Sequence, residues 1–250
     1  MKPAPFEYHS PTSLGAALDL LRSLPDAKVL AGGQSLIPLL NFRLASPANV
    51  VDINRIADLT VISERDGGIA IGAAVRQAEA ERHPLVRRLC PLLPLALGNV
   101  AHPVIRNRGT VVGSLAHCDP AAELPAVLLA LGGHVVARSA RGERRISATD
   151  LFRGAMDPAI EPDELITEAW FPAFSGPFAL VEECRRHGDF ALVGVVRAGD
   201  RLVLFGVAPT AVLADPAAPT RGLRPSADLE ASPEFRLHLV EILVARARAA

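Results

Sequence analysis

Two glycine-bearing segments hold the residues whose types and spacing best suit the binding of an anion. The first is Ala31-Gly32-Gly33-Gln34-Ser35-Leu36, and the second is Gly109-Thr110-Val111-Val112-Gly113-Ser114. Glycine lets the backbone approach a ligand closely, and the N–H groups exposed in such turns are natural donors to a diphosphate. Either segment alone could be an ordinary turn. Together they predict two halves of a clamp for one long anionic cofactor.

Neither segment matches the common nucleotide-binding motifs. The Gly-x-Gly-x-x-Gly spacing of dinucleotide-binding folds is missing, and no Gly-Lys-Ser/Thr follows either turn. His102 and His117 lie close to the second segment, but no nucleophile accompanies them in a recognisable triad context. We therefore predict a binding role for these segments and no catalytic residue.

The three cysteines restrict the kind of redox cofactor. Cys90, Cys118 and Cys184 are far apart and form no Cys-x-x-Cys pair. This spacing argues against a disulfide framework, a zinc site or an iron–sulfur cluster within the chain. If the protein carries electrons, we expect an organic cofactor and no metal site of its own.

Charge and hydropathy exclude two classes of partner. The chain has 26 basic and 27 acidic residues and a net charge of -1, which does not favour nucleic acid. Its apolar stretches are far shorter than the roughly 20 residues needed to span a bilayer. The first residues lack the apolar core of a secretory signal, so we expect a cytoplasmic protein without a membrane span.

The elements that must position the glycine segments follow from the hydrophobic pattern. Leu14, Ala17, Leu18 and Leu21 have helical spacing, and a strand over residues 28–31 leads into the first glycine segment. Further predictions are a helix within 35–44, a strand over 49–53, a hairpin around Gly67-Gly68, helical structure over 84–97, and a helix beginning near Asp119-Pro120 with Asp119 as its cap.

The pattern changes after about residue 172. Strands are predicted over 178–184, 191–196 and 202–207, the last two joined by a hairpin through Gly199. A closing helix follows, with a buried stripe of Phe235, Leu239, Ile242 and Leu243. Short strands and frequent hairpins favour an α+β fold with a boundary near residue 175. The predicted domains are therefore residues 1–175 and 176–250.

Four motifs in this order resemble one known family. They are residues 31–38, residues 105–125, Glu164-Leu165-Ile166-Thr167-Glu168, and Arg185-Arg186-His187-Gly188-Asp189-Phe190-Ala191. Together they resemble the FAD-binding medium subunit of molybdenum hydroxylases, which include carbon monoxide dehydrogenases and xanthine dehydrogenase-like enzymes. The resemblance extends over nearly the whole chain. It implies a two-part α+β FAD-binding domain of the vanillyl-alcohol-oxidase, or PCMH, type, followed by a small sheet-plus-helix domain.

The resemblance also implies which residues contact FAD. The diphosphate would lie against two sets of backbone amides and hydroxyls: Gly32, Gly33, Gln34, Ser35 and Leu36, and Thr110, Val111, Gly113 and Ser114. Such fixed N–H donors suit a diphosphate.

For the rest of the cofactor the resemblance implies further contacts, several with an alternative. Ala101 would approach the flavin, and Arg186 would lie near the flavin ring or be a solvated arginine. Asp119 and Glu123 would reach hydroxyl groups of the ribityl or ribose portion, or would serve a helix N-terminus. Leu165 and Ile166 would lie beside the adenine or belong to the core.

The chain departs from the family pattern in two places. Val112 stands where the second segment of the family has the first of two glycines, so we expect weaker FAD binding and predict that glycine there would tighten it. Residues 211–230 form a shorter connection than is usual in the family. The C-terminal domain is therefore expected to be trimmed, which affects its partner contacts.

The resemblance implies an oxidoreductase subunit. FAD on this chain would pass electrons from the iron–sulfur clusters of a small subunit to an external acceptor, and a large subunit would hold the molybdenum cofactor. Two alternatives remain open at this point. One is a stand-alone flavin-dependent oxidoreductase, and the other is an FAD-binding-like scaffold in which Val112 has weakened cofactor binding.

Overall fold

The N-terminal part is built on a small parallel sheet. The computed structural model describes residues 2–250, and its first three strands are β1 (Glu7–His9), β2 (Ala27–Leu30) and β3 (Asn49–Asp52) in the order β1-β3-β2. Helix α1 (Leu14–Ser23) begins where the Ser13 hydroxyl accepts a hydrogen bond from the Ala16 N–H. Helix α2 (Leu36–Asn41) follows the first glycine segment. That segment therefore leaves the end of β2, as the sequence predicted.

A five-stranded antiparallel sheet forms the centre of the chain. Its order is β4-β5-β10-β6-β7, and a two-stranded β8-β9 hairpin lies apart from it. The strands are β4 (Ile62–Arg65), β5 (Gly68–Gly72), β6 (His134–Ser139), β7 (Gly142–Ser147), β8 (Phe152–Gly154), β9 (Asp157–Pro158) and β10 (Leu165–Pro172). A 3₁₀ helix (Ala57–Thr60) precedes β4. The hairpin predicted around Gly67-Gly68 is confirmed as β4-β5.

Seven short helices surround this sheet. They are α3 (Gln77–Arg82), α4 (Pro84–Leu89), α5 (Leu92–Asn99), α6 (Pro103–Arg106), α7 (Val111–His117), α8 (Glu123–Leu131) and α9 (Ala148–Leu151). The helical stretch predicted over 84–97 is divided between α4 and α5 because Cys90 leaves helical geometry just before Pro91. Every residue of α8 is buried, so this helix is enclosed on all sides.

The predicted start of α8 was wrong. The helix begins at Glu123, four residues after Asp119, and has Ala122 at its N-cap. Asp119 instead accepts a hydrogen bond from the Ala121 N–H (2.8 Å) and forms a local turn. Aspartate readily makes such turns, which compete with helix initiation.

The C-terminal part is a four-stranded antiparallel sheet with one long helix. The sheet runs in the order β11 (Phe178–Glu183), β12 (Val193–Ala198), β13 (Arg201–Phe205), β14 (Val212–Ala214), and the helix is α10 (Pro233–Ala249). The predicted hairpin at Gly199 joins β12 to β13. The predicted α+β class is confirmed, because both larger sheets are antiparallel and the helices lie outside them.

This sheet has two differently occupied faces. Leu180, Val196 and Phe205 point into the large core that also contains α8. Their neighbours Ala179, Val195 and Leu204 point to the other face and pack under α10. Because the large core continues from the N-terminal part into this sheet, the boundary near residue 175 stays a prediction.

The buried side of α10 is shifted from the predicted stripe. Phe235 is 45% exposed, whereas Arg236 is 6% exposed. The Arg236 guanidinium donates to the carbonyl groups of Leu192 and Gly206 and pairs with Asp228. The helix is therefore held to the sheet and to the preceding loop by a buried arginine as well as by apolar contact.

None of the helices formed by residues 2–250 is long and apolar enough to cross a membrane.

Candidate functional site

The two glycine segments lie in direct contact. Gly32 is buried, and a Cβ atom at this position would fall 2.5 Å from the Arg108 carbonyl oxygen, 2.7 Å from the Gly109 Cα and 3.0 Å from the Thr110 nitrogen. These distances leave no room for any side chain larger than hydrogen. The structure therefore brings together two segments that are separated by more than 70 residues in the sequence.

Two side chains outside the segments fasten this contact. Asn54 donates to the Ala31 carbonyl (2.8 Å), and Arg76 donates to both the Asn54 Oδ1 (2.6 Å) and the Arg108 carbonyl (2.6 Å). Arg76 and Asn54 thus link the end of the first segment to the start of the second. Sequence reasoning missed both residues, because their partners are distant in the chain and no local pattern marks them.

The second segment is the start of a helix and only in part a turn. Gly109 accepts a hydrogen bond from the Gln77 N–H (2.8 Å), and Thr110 is the N-cap of α7. The Thr110 hydroxyl accepts from the Gly113 N–H at 3.0 Å, and a Cβ at Gly113 would lie 2.5 Å from that hydroxyl. Thr110, Val111, Gly113 and Ser114 therefore occupy the cap and first turn of α7.

The first segment contains hydrogen-bond donors that have no acceptor in the described chain. The backbone N–H groups of Gly32, Gly33, Gln34 and Ser35 donate to no acceptor within residues 2–250. Gly33 has a φ of +77°, a left-handed conformation that turns the backbone here, and Leu36 begins α2. Amides presented in succession in such a turn form a concave anion-binding surface. The residues present therefore fit a diphosphate.

Val112 does not crowd this surface. Its side chain is 3% exposed and belongs to the large core, as does that of Val111. The basis for expecting weaker FAD binding, a branched side chain beside the diphosphate, is therefore wrong. Within the two segments, a Cβ would fall less than 3.0 Å from a neighbouring atom at Gly32, Gly109 and Gly113.

Asp119 and Glu123 follow the end of α7. The helix ends at Cys118 in the left-handed conformation, which turns the chain towards Asp119. Glu123 is 7% exposed, and burial raises the pKa of its carboxyl to about 8, with smaller contributions from the charges of Glu182 and Asp119. Apart from its own backbone N–H, none of residues 2–250 donates a hydrogen bond to this carboxyl. Glu123 is therefore an acceptor that receives no hydrogen bond from any other residue of the described chain.

Glu182 is a second carboxyl of this kind, and sequence reasoning missed it. Its Oε2 atom is buried without a hydrogen-bond partner within the described chain, and burial raises its pKa to about 7. A signal was present, because an acidic residue interrupts the alternation of apolar residues on the core-facing side of the predicted strand over 178–184.

Ala101 and the loop that carries Arg186 come together through His102 and Gly188. Ala101 has a φ of +43°, which is uncommon for alanine. A Cβ at Gly188 would lie 2.5 Å from the His102 ring, so the loop between β11 and β12 packs directly on this histidine. Arg186 is exposed in that loop. The structure thus places next to each other the two regions that the resemblance assigns to the flavin.

Leu165 and Ile166 open strand β10, and both side chains are in the large core. Helix α7 packs against the same strand. Both residues therefore belong to the core, which is one of the two roles expected for them. A contact with adenine stays a prediction.

The part of the chain that the structure describes contains no group of three or more histidine, cysteine, aspartate or glutamate side chains placed to hold a metal ion. The three cysteines are free, and burial raises the pKa of Cys90 to about 12, which makes it an unreactive packing residue.

Comparison with known proteins gives a family for this arrangement. Residues 4–174 match the family described as the FAD binding domain in molybdopterin dehydrogenase. The chain belongs to this family. The match includes both glycine segments, Ala101, Asp119, Glu123 and the Leu165-Ile166 pair.

Curated relatives and a solved structure agree with this assignment. The chain is 48% identical to the 6-hydroxypseudooxynicotine dehydrogenase complex subunit alpha of Paenarthrobacter nicotinovorans over 197 residues, covering 78% of this chain and 67% of that protein. It is 38% identical to the carbon monoxide dehydrogenase medium chain of Hydrogenophaga pseudoflava over 224 residues, covering 85% and 78%. A carbon monoxide dehydrogenase structure from Hydrogenophaga pseudoflava superposes with a TM-score of 0.94 at 34% identity, covering 100% of this chain and 98% of that one.

The predicted family is therefore confirmed, as is the predicted relationship to subunits of oxidoreductases. The assignment of individual residues to parts of FAD stays a prediction. A cytoplasmic location also stays a prediction.

The buried Glu123 carboxyl predicts a pH dependence of stability. Its folded pKa of about 8 lies above the ordinary value of 4.5, so the folded chain holds more protons than the unfolded chain between these values. The free energy of unfolding should therefore fall as pH rises through this window. We expect Glu123→Gln to stabilise the FAD-free chain at about pH 8.5 and to flatten this slope by up to about 1.4 kcal/mol per pH unit.

Urea unfolding at several pH values measures this slope. Glu241→Gln, on an exposed position of α10, is the matched control and should leave the slope unchanged. A Glu123→Gln chain with the wild-type slope would contradict the prediction.

The family pattern led us to expect tighter FAD binding when glycine replaces Val112. The core position of this side chain predicts that FAD binding will not tighten. Val112→Gly removes a buried side chain and places glycine in the first turn of α7. We expect the free energy of unfolding to fall by about 2–4 kcal/mol and FAD binding to become no tighter. Val104→Gly, at a 71% exposed position of α6, is the control and should cost less than about 1 kcal/mol. Tighter FAD binding by Val112→Gly would show that the valine faces the cofactor.

Proposed function

We propose that the chain binds FAD and serves as the electron-transferring flavoprotein subunit of a heteromeric molybdenum hydroxylase. The observation that carries the proposal is the contact of the two glycine segments at Gly32, where a Cβ would fall 2.5 Å from the neighbouring backbone. This contact assembles one set of free amides beside the capped start of α7. The family, whose description names an FAD binding domain in molybdopterin dehydrogenase, supports the same role.

The FAD diphosphate would be held mainly by backbone groups. The N–H groups of Gly32, Gly33, Gln34 and Ser35 are the free donors, and the Ser35 and Ser114 hydroxyls would add to them. Fixed amides cost little reorganisation when an anion binds, since the fold has already oriented them. Arg76 and Asn54 would not contact the diphosphate but would hold the two segments together by their hydrogen bonds.

The other assigned residues would orient the rest of the cofactor. Asp119 and Glu123 would accept hydrogen bonds from its hydroxyl groups, Leu165 and Ile166 would flank the adenine, and Leu36 would contact the diphosphate end. Ala101 would bring backbone close to the flavin ring, where the Arg186 guanidinium would favour a reduced, anionic flavin. Bound FAD would supply the electron-carrying chemistry, so the chain needs no acid or base of its own.

Partner subunits follow from the relatives. Those relatives are named as a subunit alpha of a dehydrogenase complex and as a medium chain of carbon monoxide dehydrogenase. We propose that a large subunit with a molybdenum cofactor oxidises the substrate, and that a small iron–sulfur subunit passes electrons to this chain. The FAD would then deliver them to an external acceptor in the cytoplasm.

A side chain at Gly32 should weaken cofactor binding. We expect the wild-type chain to take up FAD and show flavin absorption bands after removal of free cofactor. Gly32→Ala should lose at least about tenfold in affinity, because its methyl group must separate the two segments. Gly15→Ala is the matched control, since a Cβ at this position in α1 has nothing within 4 Å. Wild-type protein without flavin bands after addition of FAD would contradict the proposal.

Isolation of the chain with its partners tests the electron-transfer role. We expect a tagged chain purified from its own host to bring down two further subunits, with molybdenum and iron in the complex by metal analysis. The same chain expressed alone should contain neither metal and should not oxidise carbon monoxide or 6-hydroxypseudooxynicotine. Turnover of either of these by the isolated FAD-loaded chain would instead favour a stand-alone flavin oxidoreductase.

A further inference from the structure

The side chain of Glu182 points towards the interior of the protein. Along β11, Leu180 contributes to the large core, whereas Ala179 contributes to the core under α10. Because side chains alternate between the two faces of a strand, Glu182 lies on the same face as Leu180. Its partner across the ladder is Gly194, where the Phe205 ring occupies the space of a side chain. A carboxyl group therefore stands on the face that packs against other elements.

Two helices that carry or lead into assigned cofactor residues pack against the sheet of β11. Helix α5 packs against β11 and leads directly to Ala101. Helix α8 packs against the same sheet and begins with Glu123. The charge of Glu182 raises the pKa of Glu123, after the larger effect of burial, so the two carboxyls lie close enough to interact.

Residues 2–250 supply no hydrogen-bond donor to the buried Oε2 atom of Glu182. The charge of Glu182 contributes, after the larger effect of burial, to the raised pKa of the Glu123 carboxyl and of the Cys184 thiol, and no basic group contributes to the pKa of Glu182 itself. Helix α5 contributes no titratable side chain, and Glu182 Oε2 has no hydrogen-bond partner within residues 2–250. Burying an unpaired carboxyl is costly unless something donates to it. Two carboxyls that influence each other in this way, of which Glu123 is only 7% exposed, point to a ligand rich in donors.

We propose that Glu182 is a further cofactor-binding residue, which together with Glu123 accepts hydrogen bonds from the hydroxyl groups of the ribityl or ribose portion of FAD. The assignment rests on the proposed function. Neither the glycine segments nor the motif around Arg186 includes this residue.

Proton release follows from this role. In the FAD-free chain burial holds the pKa of Glu182 at about 7 and that of Glu123 at about 8. Hydroxyl donors favour the ionised forms, so binding FAD lowers both pKa values and releases protons. FAD affinity therefore rises with pH between about pH 6 and pH 8 and levels off above that window.

The test compares FAD affinity and stability in the full chain. Glu182→Gln keeps the shape but removes the charge, and the matched control is Glu183→Gln, one position along the strand and facing the other side of the sheet. Dissociation constants are measured by quenching of FAD fluorescence from about pH 5.5 to pH 8.5, and urea unfolding of the FAD-free proteins is measured at the same pH values.

We expect Glu182→Gln to weaken FAD binding at about pH 8 by about tenfold or more, to reduce the rise of affinity with pH, and to stabilise the FAD-free chain. Glu182→Asp should keep the pH dependence, and Glu183→Gln should behave as wild type. A purely structural residue would instead lose stability and affinity together, and that result would overturn the assignment.

Two other outcomes would also overturn it, and they separate it from the proposed function. If the wild-type chain binds FAD and Glu182→Gln binds it with the same affinity and pH dependence, Glu182 has no role in binding and the proposed function stands. A wild-type chain that binds no FAD at any pH would overturn both.

Discussion

The close contact between Gly32 and the backbone of residues 108–110 is the constraint on which the candidate site depends. A methyl group at Gly32 would overlap the Arg108 carbonyl, so the contact exists only without a side chain. Everything else at this end of the molecule holds that contact in place. Strand β2 delivers the first segment, the Thr110 cap starts α7, and Asn54 and Arg76 join the two by hydrogen bonds. The amides are thus oriented before any ligand arrives, which reduces the cost of binding.

The two buried carboxyls, unlike the glycine contact, destabilise the ligand-free protein. Glu123 and Glu182 each lose hydration on folding and gain no donor from another residue of the described chain, so they lower the stability of the ligand-free protein at neutral pH. A packed core does not need them, because apolar residues of similar size would serve there. Groups that weaken a fold in this way are typical of sites that a ligand completes. The arrangement therefore trades stability of the free chain for complementarity to a ligand with hydroxyl donors.

The predictions from sequence succeeded where local pattern determines structure. Alternation and turn residues predicted the hairpin at Gly199, helical spacing predicted α1, and four ordered motifs predicted the family. They were wrong where a competing local turn or a contact distant in sequence decides. Asp119 seemed a good cap, but its carboxyl bonds to Ala121 and the helix starts at Glu123. Arg236 replaced Phe235 on the buried side of α10 because the carbonyls of Leu192 and Gly206 need a donor.

Val112 shows why a family pattern must be read with the geometry of each position. In a motif that has two adjacent glycines, a substitution at either one suggests the same loss of space. Residues 112 and 113 are consecutive in α7, however, and consecutive helical residues point about 100° apart. Position 113 faces the Thr110 hydroxyl and lies 4.0 Å from Ala31, so a side chain there meets the clamp. Position 112 faces the core, where a valine adds apolar contact. The departure from the pattern therefore strengthens the packing of α7 without narrowing the surface that its first turn presents.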